Sequence, residues 1–483
     1  MTINIGGIDA AIVVGYMLAV LAFGVWVGRG KQSATRYFLG DRSLPWGALL
    51  LSIVATETST VTFLSIPGLA AAAGGNLTFL QITIGYIVGR LGVIFILLPL
   101  YFRGKPFTAY EVLETRFGTV SRRLVSSLFL LTRNASDALR LFLTALVLQI
   151  VLGLDLNLSV VFIGVVTILY TFIGGARSVI WNDCIQFVIY MLGAAAAASI
   201  IVDTAPGGFD ALLQFAQDEN KLRIFDFDMS LTKPGMTFWA GLAGGAFLTA
   251  ATHGTDQMMV QRYLSAKGQG QAALALGLSG FIVMLQFGIF LLIGVGLAGL
   301  QGDVDIRNDQ QFAYFIVHYM PIGLLGLTLA AVFAAAMSTL SSSLNSSAAA
   351  FINDIYLPLA AREPDEATKL KKSRTATVVF GLVQTGIALG FGQLGSNESI
   401  VANVLKISGF AAGPVLGLYF LGVFAPRVRQ RAALAGFLAG VVVLSTIAYT
   451  TPVHWAWYAL IGSLTTLAAG TLVSLVERRN DER

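Results

Sequence analysis

The sequence predicts an all-α polytopic membrane protein with 13 transmembrane helices, and three observations lead there. Hydrophobic residues make up 56% of the 483, charged residues only 12%, and the mean hydropathy is +0.76, values that exclude an ordinary soluble globule. Thirteen apolar runs are long enough to span a bilayer. The basic residues sort to one side of those runs.

The runs fall at about 8–28, 46–72, 77–101, 124–152, 157–175, 179–202, 236–259, 271–299, 321–356, 375–394, 399–425, 432–450 and 454–476. With the amino terminus outside, the connections on the cytoplasmic side hold 23 Lys and Arg residues, against four (Lys221, Arg223, Lys233 and Arg307) on the other. That asymmetry predicts a multi-pass protein of the cell membrane with an extracellular or periplasmic amino terminus and a cytoplasmic carboxyl terminus. No basic residue precedes the first run, which reads as a retained span. The lone Cys184 and the dispersed His253, His318 and His454 give no disulfide framework and no metal spacing. Serine is abundant, but no serine–histidine–carboxylate set accompanies it, so an enzyme is not expected, and nothing points to nucleic acid.

In chain order, the first unusual span is 46–72. It carries Ser52, Thr56, Glu57, Thr58, Ser59, Thr60, Thr62 and Ser65 ahead of Pro67-Gly68, a poor composition for a lipid-facing helix. A discontinuous helix that exposes backbone oxygens is one reading, and a packed proline kink at Pro67 is the other. A carboxylate at that depth needs a partner or a role, which favours the first. Span 77–101 holds Arg90, expected to pair with one of the buried acids. Span 124–152 holds Arg133, Asp137 and Arg140 at spacings of four and three, so Arg133 and Asp137 are expected to neutralise one another on one helix face. Asp183 follows Trp181-Asn182 a turn inside the sixth span, where it could bind a cation, relay a proton or pair with an arginine. Polar residues 249–257, from Thr249 to Gln257, interrupt the seventh span about five spans after the first interruption, as an inverted repeat requires.

The ninth span carries the hydroxyl-rich run 334–347. At about 100° per residue, Ala335, Ser338, Thr339, Ser342 and Ser346 share one face, with Ser341 on its flank. Hydroxyls and freed carbonyls are hard, uncharged ligands suited to reversible binding of an alkali cation. Small hydroxylated residues also let helices approach closely and hydrogen-bond, and the run alone does not choose between the two.

Taken together, Ser338-Thr339-x-x-x-x-Leu344-Asn345-Ser346 with Asp354-Ile355-Tyr356, Tyr170-Thr171-x-x-Gly174-Gly175 with Trp181-x-Asp183-x-x-Gln186, and Gln261-Arg262 resemble the sodium/solute symporter family. The resemblance extends from the first span to about Arg431. It implies a single transmembrane transporter domain over 1–483 with a LeuT-like core, a first five-helix repeat at 46–202 and a second, inverted one at 236–425, with 1–45 and 426–483 peripheral. It implies a common sodium site from backbone carbonyls of Ala55, Thr58 and Ala335 and hydroxyls of Ser338 and Thr339. The second sodium of some members maps to Asp183, Ser341 and Ser342, so Na+ is expected as one ion or two.

Substrate positions of the family correspond to Glu57, Thr58, Ser59, Thr62, Gln81, Arg140, Thr249, Thr252 and Lys406. Lys406 departs from the neutral amide of sugar-transporting members. A cation there suits a carboxylate, whereas a Glu57–Lys406 pair would leave a neutral site for a sugar or polyol. The expectation is a sodium-coupled symporter importing a small polar organic solute by alternating access, leaning to a carboxylate-bearing one; its partners are that solute, sodium ions and the lipid bilayer. Sugar or polyol symport and proton-coupled transport remain the alternatives, and a membrane sensor or channel is the rival of another class.

Overall fold

The structure is a computed structural model and describes residues 6–30, 33–104, 106–152, 154–302, 306–394 and 400–481. Each of the thirteen apolar runs lies on helix. Among the described residues eight helices are long and apolar enough to cross a membrane, and a ninth span is counted if the bent pair Trp46–Glu57 and Thr60–Ala71 is taken as one. The strict count is lower than 13 in part because the run 399–425 is counted only over Ala412–Phe424. Thr119–Leu152 carries intramembrane charges, the seventh run is divided at Asp256, and Leu156–Thr204 is one 49-residue run holding two of the predicted spans.

The helix Leu324–Ala350 is the axis of the molecule, with nearly every residue from Leu325 onward buried. It packs against Leu156–Thr204, Thr119–Leu152, Gly7–Val27 and Trp46–Glu57. A helix buried all round must satisfy its side-chain oxygens inside the protein, and small residues allow the close approach this needs. The last two helices, Gln430–Thr450 and Trp455–Arg479, pack on each other and are only about one-third buried.

Three breaks position the functional residues. The first lies at Thr58-Ser59, where the two half-helices are bent by 61°. The favoured reading of span 46–72, a discontinuous helix, holds, and Pro67, the site of the rival kink, sits inside the second half-helix. The second is at Asp256, which leaves helical geometry (φ −80°, ψ 125°) and caps Gln257–Leu264 by accepting from the Met258 N–H at 2.8 Å. The third is at Gly175, whose φ of +59° bends the Leu156–Thr204 run. A Cβ there would lie 2.6 Å from the Tyr37 carbonyl, so only glycine fits.

Two motifs of the sequence tie these pieces together. The Gln261 side-chain amide donates to Phe38 O at 2.6 Å and to Asn345 Oδ1 at 2.8 Å, clamping the short helix Ala34–Leu39 to the serine-rich helix. Asp354 accepts from Thr108 Oγ1 at 2.6 Å, Arg122 Nε at 2.7 Å and Ser126 Oγ at 3.0 Å, anchoring the far end of that helix. Outside the spans, Lys233 donates to Asp226 at 2.7 Å and holds its carboxyl below the usual aspartate range.

Candidate functional site

Local side-chain chemistry explains the first break. Thr58 Oγ1 turns back to donate to Val54 O at 2.8 Å, and the Ser59 N–H bonds Glu57 O at 3.2 Å instead of closing on Ala55. The Ala55 carbonyl is thereby left for a side chain. It accepts from Ser338 Oγ at 2.9 Å, and the Thr56 carbonyl accepts from Thr339 Oγ1 at 3.0 Å. The Ala335 carbonyl lies 3.1 Å from Ser338 Oγ and 3.5 Å from Thr339 Oγ1. Each hydroxyl thus has two carbonyls in reach and one proton to give. Five buried neutral oxygens with two protons among them form a donor set that suits a small monovalent cation.

The structure gathers Ala55, Ala335, Ser338 and Thr339 of the expected common site. The carbonyls bonded by the hydroxyl pair belong to Ala55 and Thr56; Thr58, expected through its carbonyl, uses its hydroxyl to donate to Val54 O and to accept from Gln286 Nε2 at 2.8 Å.

Asp183 and Ser342 meet nearby, but around an arginine. Asp183 Oδ2 accepts from Ser52 Oγ at 2.5 Å, Thr56 Oγ1 at 3.3 Å and Arg262 Nη2 at 3.1 Å. The same Arg262 donates to Ser342, Thr56 and, through Nε at 2.9 Å, Ser52. Asp183 Oδ1 has no hydrogen-bond partner among the described residues, and Ser341 donates to Ser338 O at 3.3 Å. A guanidinium fixed as a fork across several oxygens supplies the charge that Asp183 requires.

Beside the broken helix lies a cavity of about 120 Å³. Ser59, Thr62, Thr249 and Thr252 line it, with Glu57, Arg133, Arg140 and His253, while Phe79, Tyr86, Leu248 and Phe287 make its apolar wall. Glu57 is paired with Arg90 and lies 3.5 Å from His253 Nε2. Arg140 pairs with Asp137. Arg133 reaches across to Asp256 and keeps Asp137 only at 3.8 Å, so the same-helix neutralisation expected for it is its weaker contact. Three arginines and three carboxylates leave the cluster formally neutral. Arg133, Thr252 and Asp256 also line a second cavity of about 50 Å³ toward Tyr110 and Phe129, Arg133 and Thr252 being common to both.

Two expected substrate residues fare differently. Gln81 is absent from the cavity lining: its amide donates to Thr78 O and Met236 O and accepts from the Asp226 N–H, tying down an outer loop. The Lys406 side chain lies outside the described residues, and the Glu57 partner seen is Arg90.

A model of the sodium:solute symporter family matches residues 37–440. The chain belongs to that family. It is 30% identical to the sodium/sialic acid symporter SiaT of Proteus mirabilis over 98% of this chain and 95% of the relative, and 31% identical to the sodium/sialic acid symporter NanT of Aliivibrio fischeri over 96% and 92%. A sodium-coupled monocarboxylate transporter 2 of Bos taurus is 29% identical over 89% of this chain and 70% of its own length. The fold matches a substrate-bound, outward-open sodium-coupled sialic acid symporter with a TM-score of 0.90 at 29% identity, covering 98% of both chains. It also matches Mhp1, a nucleobase-cation-symport-1 family transporter, with a TM-score of 0.58 at 16% identity, covering 93% of this chain and 95% of that one. The protein is thus an all-helical, multi-pass sodium-coupled solute symporter with a LeuT-like fold, and not an enzyme.

Sequence reasoning missed Thr56, Arg133, Arg262, Gln286 and His253 as parts of these sites. Arg262 was legible as half of the Gln261-Arg262 motif, but nothing in spacing connects it to Asp183.

Proposed function

We propose that the chain crosses the membrane 13 times with its amino terminus outside and imports a small carboxylate-bearing solute with one sodium ion by alternating access. The observation that carries the sodium reading is the Ala55–Thr56–Ala335–Ser338–Thr339 oxygen cluster, which joins the broken helix to the buried serine-rich axis. Sodium there favours the arrangement in which the two helices meet and the neighbouring solute cavity is complete.

The solute reading rests on charge. The cavity cluster is neutral, so a monoanion brought to Arg140 and Arg133 adds one negative charge that a single sodium balances. Arg262 already supplies the cation beside Asp183, and a second sodium there would have to displace it from Ser342. Such a load is electroneutral, so each tenfold sodium gradient contributes about 1.4 kcal/mol and membrane potential adds nothing. The Arg133–Asp256 pair sits where the two cavities approach, and inward release requires it to part.

The test is uptake of radiolabelled N-acetylneuraminate, lactate and glucose into proteoliposomes under sodium, proton and potassium-diffusion gradients. Sodium-driven uptake of a carboxylate, first order in sodium and unchanged by potential, supports the reading. Sodium-driven glucose uptake sinks the carboxylate assignment, and uptake driven by protons alone sinks the sodium one.

A further inference from the structure

Away from the transport sites, a cavity of about 510 Å³ opens where the first helix, Gly7–Val27, ends beside the bend at Gly175. Its lining carries three arginines, Arg29, Arg36 and Arg177, with Phe23, Trp26 and Trp181, and among the described residues no carboxylate. We propose that this groove binds the phosphate headgroup of an anionic phospholipid from the cytoplasmic leaflet.

The groove is built rather than incidental. Ser178 Oγ donates to Gly24 O at 2.8 Å, locking the bend to the first helix, and Arg36 Nη2 donates to Arg29 O at 3.0 Å, folding the following segment back over that helix end. Asp41 lies 3.9 Å from Arg36 Nε, outside the lining. Arg177 lines the groove, and its Nε is buried without a hydrogen-bond partner among the described residues, a donor that a phosphate oxygen would satisfy. Trp26 is 61% exposed and lies beside Phe23, with ring centroids 5.8 Å apart. Indole rings at the end of an apolar span occupy the headgroup level, and basic residues on the cytoplasmic side attract anionic lipid.

The position favours lipid over a free anion, because the arginines stand beside the aromatic side chains of Phe23, Trp26 and Trp181 at the end of an apolar span. Acyl chains would lie along those side chains while the phosphate meets the arginines. Trp181 is two residues from Asp183, so a bound headgroup braces the inner end of the helix that carries the partner of Arg262.

Native mass spectrometry of the detergent-purified protein, titrated with phosphatidylglycerol or phosphatidylcholine, tests this. Selective phosphatidylglycerol adducts, weakened roughly tenfold in Arg29→Gln with Arg177→Gln, are expected. In parallel, brominated phosphatidylglycerol should quench the tryptophan fluorescence of the wild type more than that of Trp26→Phe, a readout independent of the arginine variant's folding. Equal retention of both lipids, or quenching unaffected by Trp26→Phe, overturns the proposal. Displacement of the lipid by millimolar inorganic phosphate would assign the arginines to a soluble anion and overturn it as well.

Discussion

The proposed sodium junction and solute cavity share the break at Thr58-Ser59 but use opposite chemistry. At the junction every ligand is a neutral oxygen held by a carbonyl or a one-proton hydroxyl. Around the cavity, arginines and carboxylates cancel in pairs, Arg90–Glu57 and Arg133–Asp256 between helices and Arg140–Asp137 within one. The difference fits the loads proposed for them. A cation that must leave again is suited by several weak dipoles, whereas a solute anion needs full positive charge that is already compensated when the site is empty of it.

Removing the buried cation that stands beside the junction should have the largest effect. Arg262→Ala leaves Asp183 buried without its cation and is expected to cost about 3–5 kcal/mol of stability, read as a fall in melting temperature. Adding Asp183→Asn should recover much of it, and full additivity of the two losses would show that they do not act as a pair.

Breaking the neutral side should leave folding largely intact and remove the ion. Ser338→Ala with Thr339→Ala deletes both hydroxyls, so sodium affinity is expected to fall by roughly a hundredfold, about 1.4 kcal/mol for each ligand, in sodium titrations of uptake. Arg140→Lys sharpens the comparison from the other side. It keeps the charge but loses the planar fork, and should raise the solute KM about tenfold while leaving the half-saturating sodium concentration unchanged. A sodium shift equal to the solute shift would merge the two sites.

Gln81→Leu should do least. The amide ties Asp226 and Met236 outside the cavity, so about 1 kcal/mol of stability is lost with the solute KM unaltered. A raised KM would return Gln81 to the substrate site.

The two regions also differ in how far the sequence reveals them. Helix periodicity alone put Ala335, Ser338 and Thr339 on one face, because spacing along a single helix is a geometric fact of the chain. The partner carbonyls were harder. A proline marks a break by its missing donor, yet the actual break comes from Thr58 and Ser59 hydrogen-bonding locally, which composition does not separate from ordinary hydroxyl packing. The charge pairs were legible in part: Arg140 lies three residues from its partner Asp137, and Arg90 pairs with a buried acid as expected, but the long-range partners were hidden. Asp137 lies four residues from Arg133, but Arg133 prefers Asp256, 123 positions away, and Asp183 finds Arg262 79 positions away. Such pairings depend on which helices touch, and that comes from packing. The thirteen apolar runs were legible as helix from hydropathy.

The central claim is that the hydroxyl–carbonyl junction binds sodium, and the most direct measurement is the thermal stability of the purified protein in sodium against choline chloride, for the wild type and for Ser338→Ala with Thr339→Ala. A sodium-specific rise in melting temperature in the wild type, absent from the double variant but retained in Arg140→Lys, is the predicted result. Equal stability of the wild type in both salts, or a sodium response that survives loss of both hydroxyls, would contradict it.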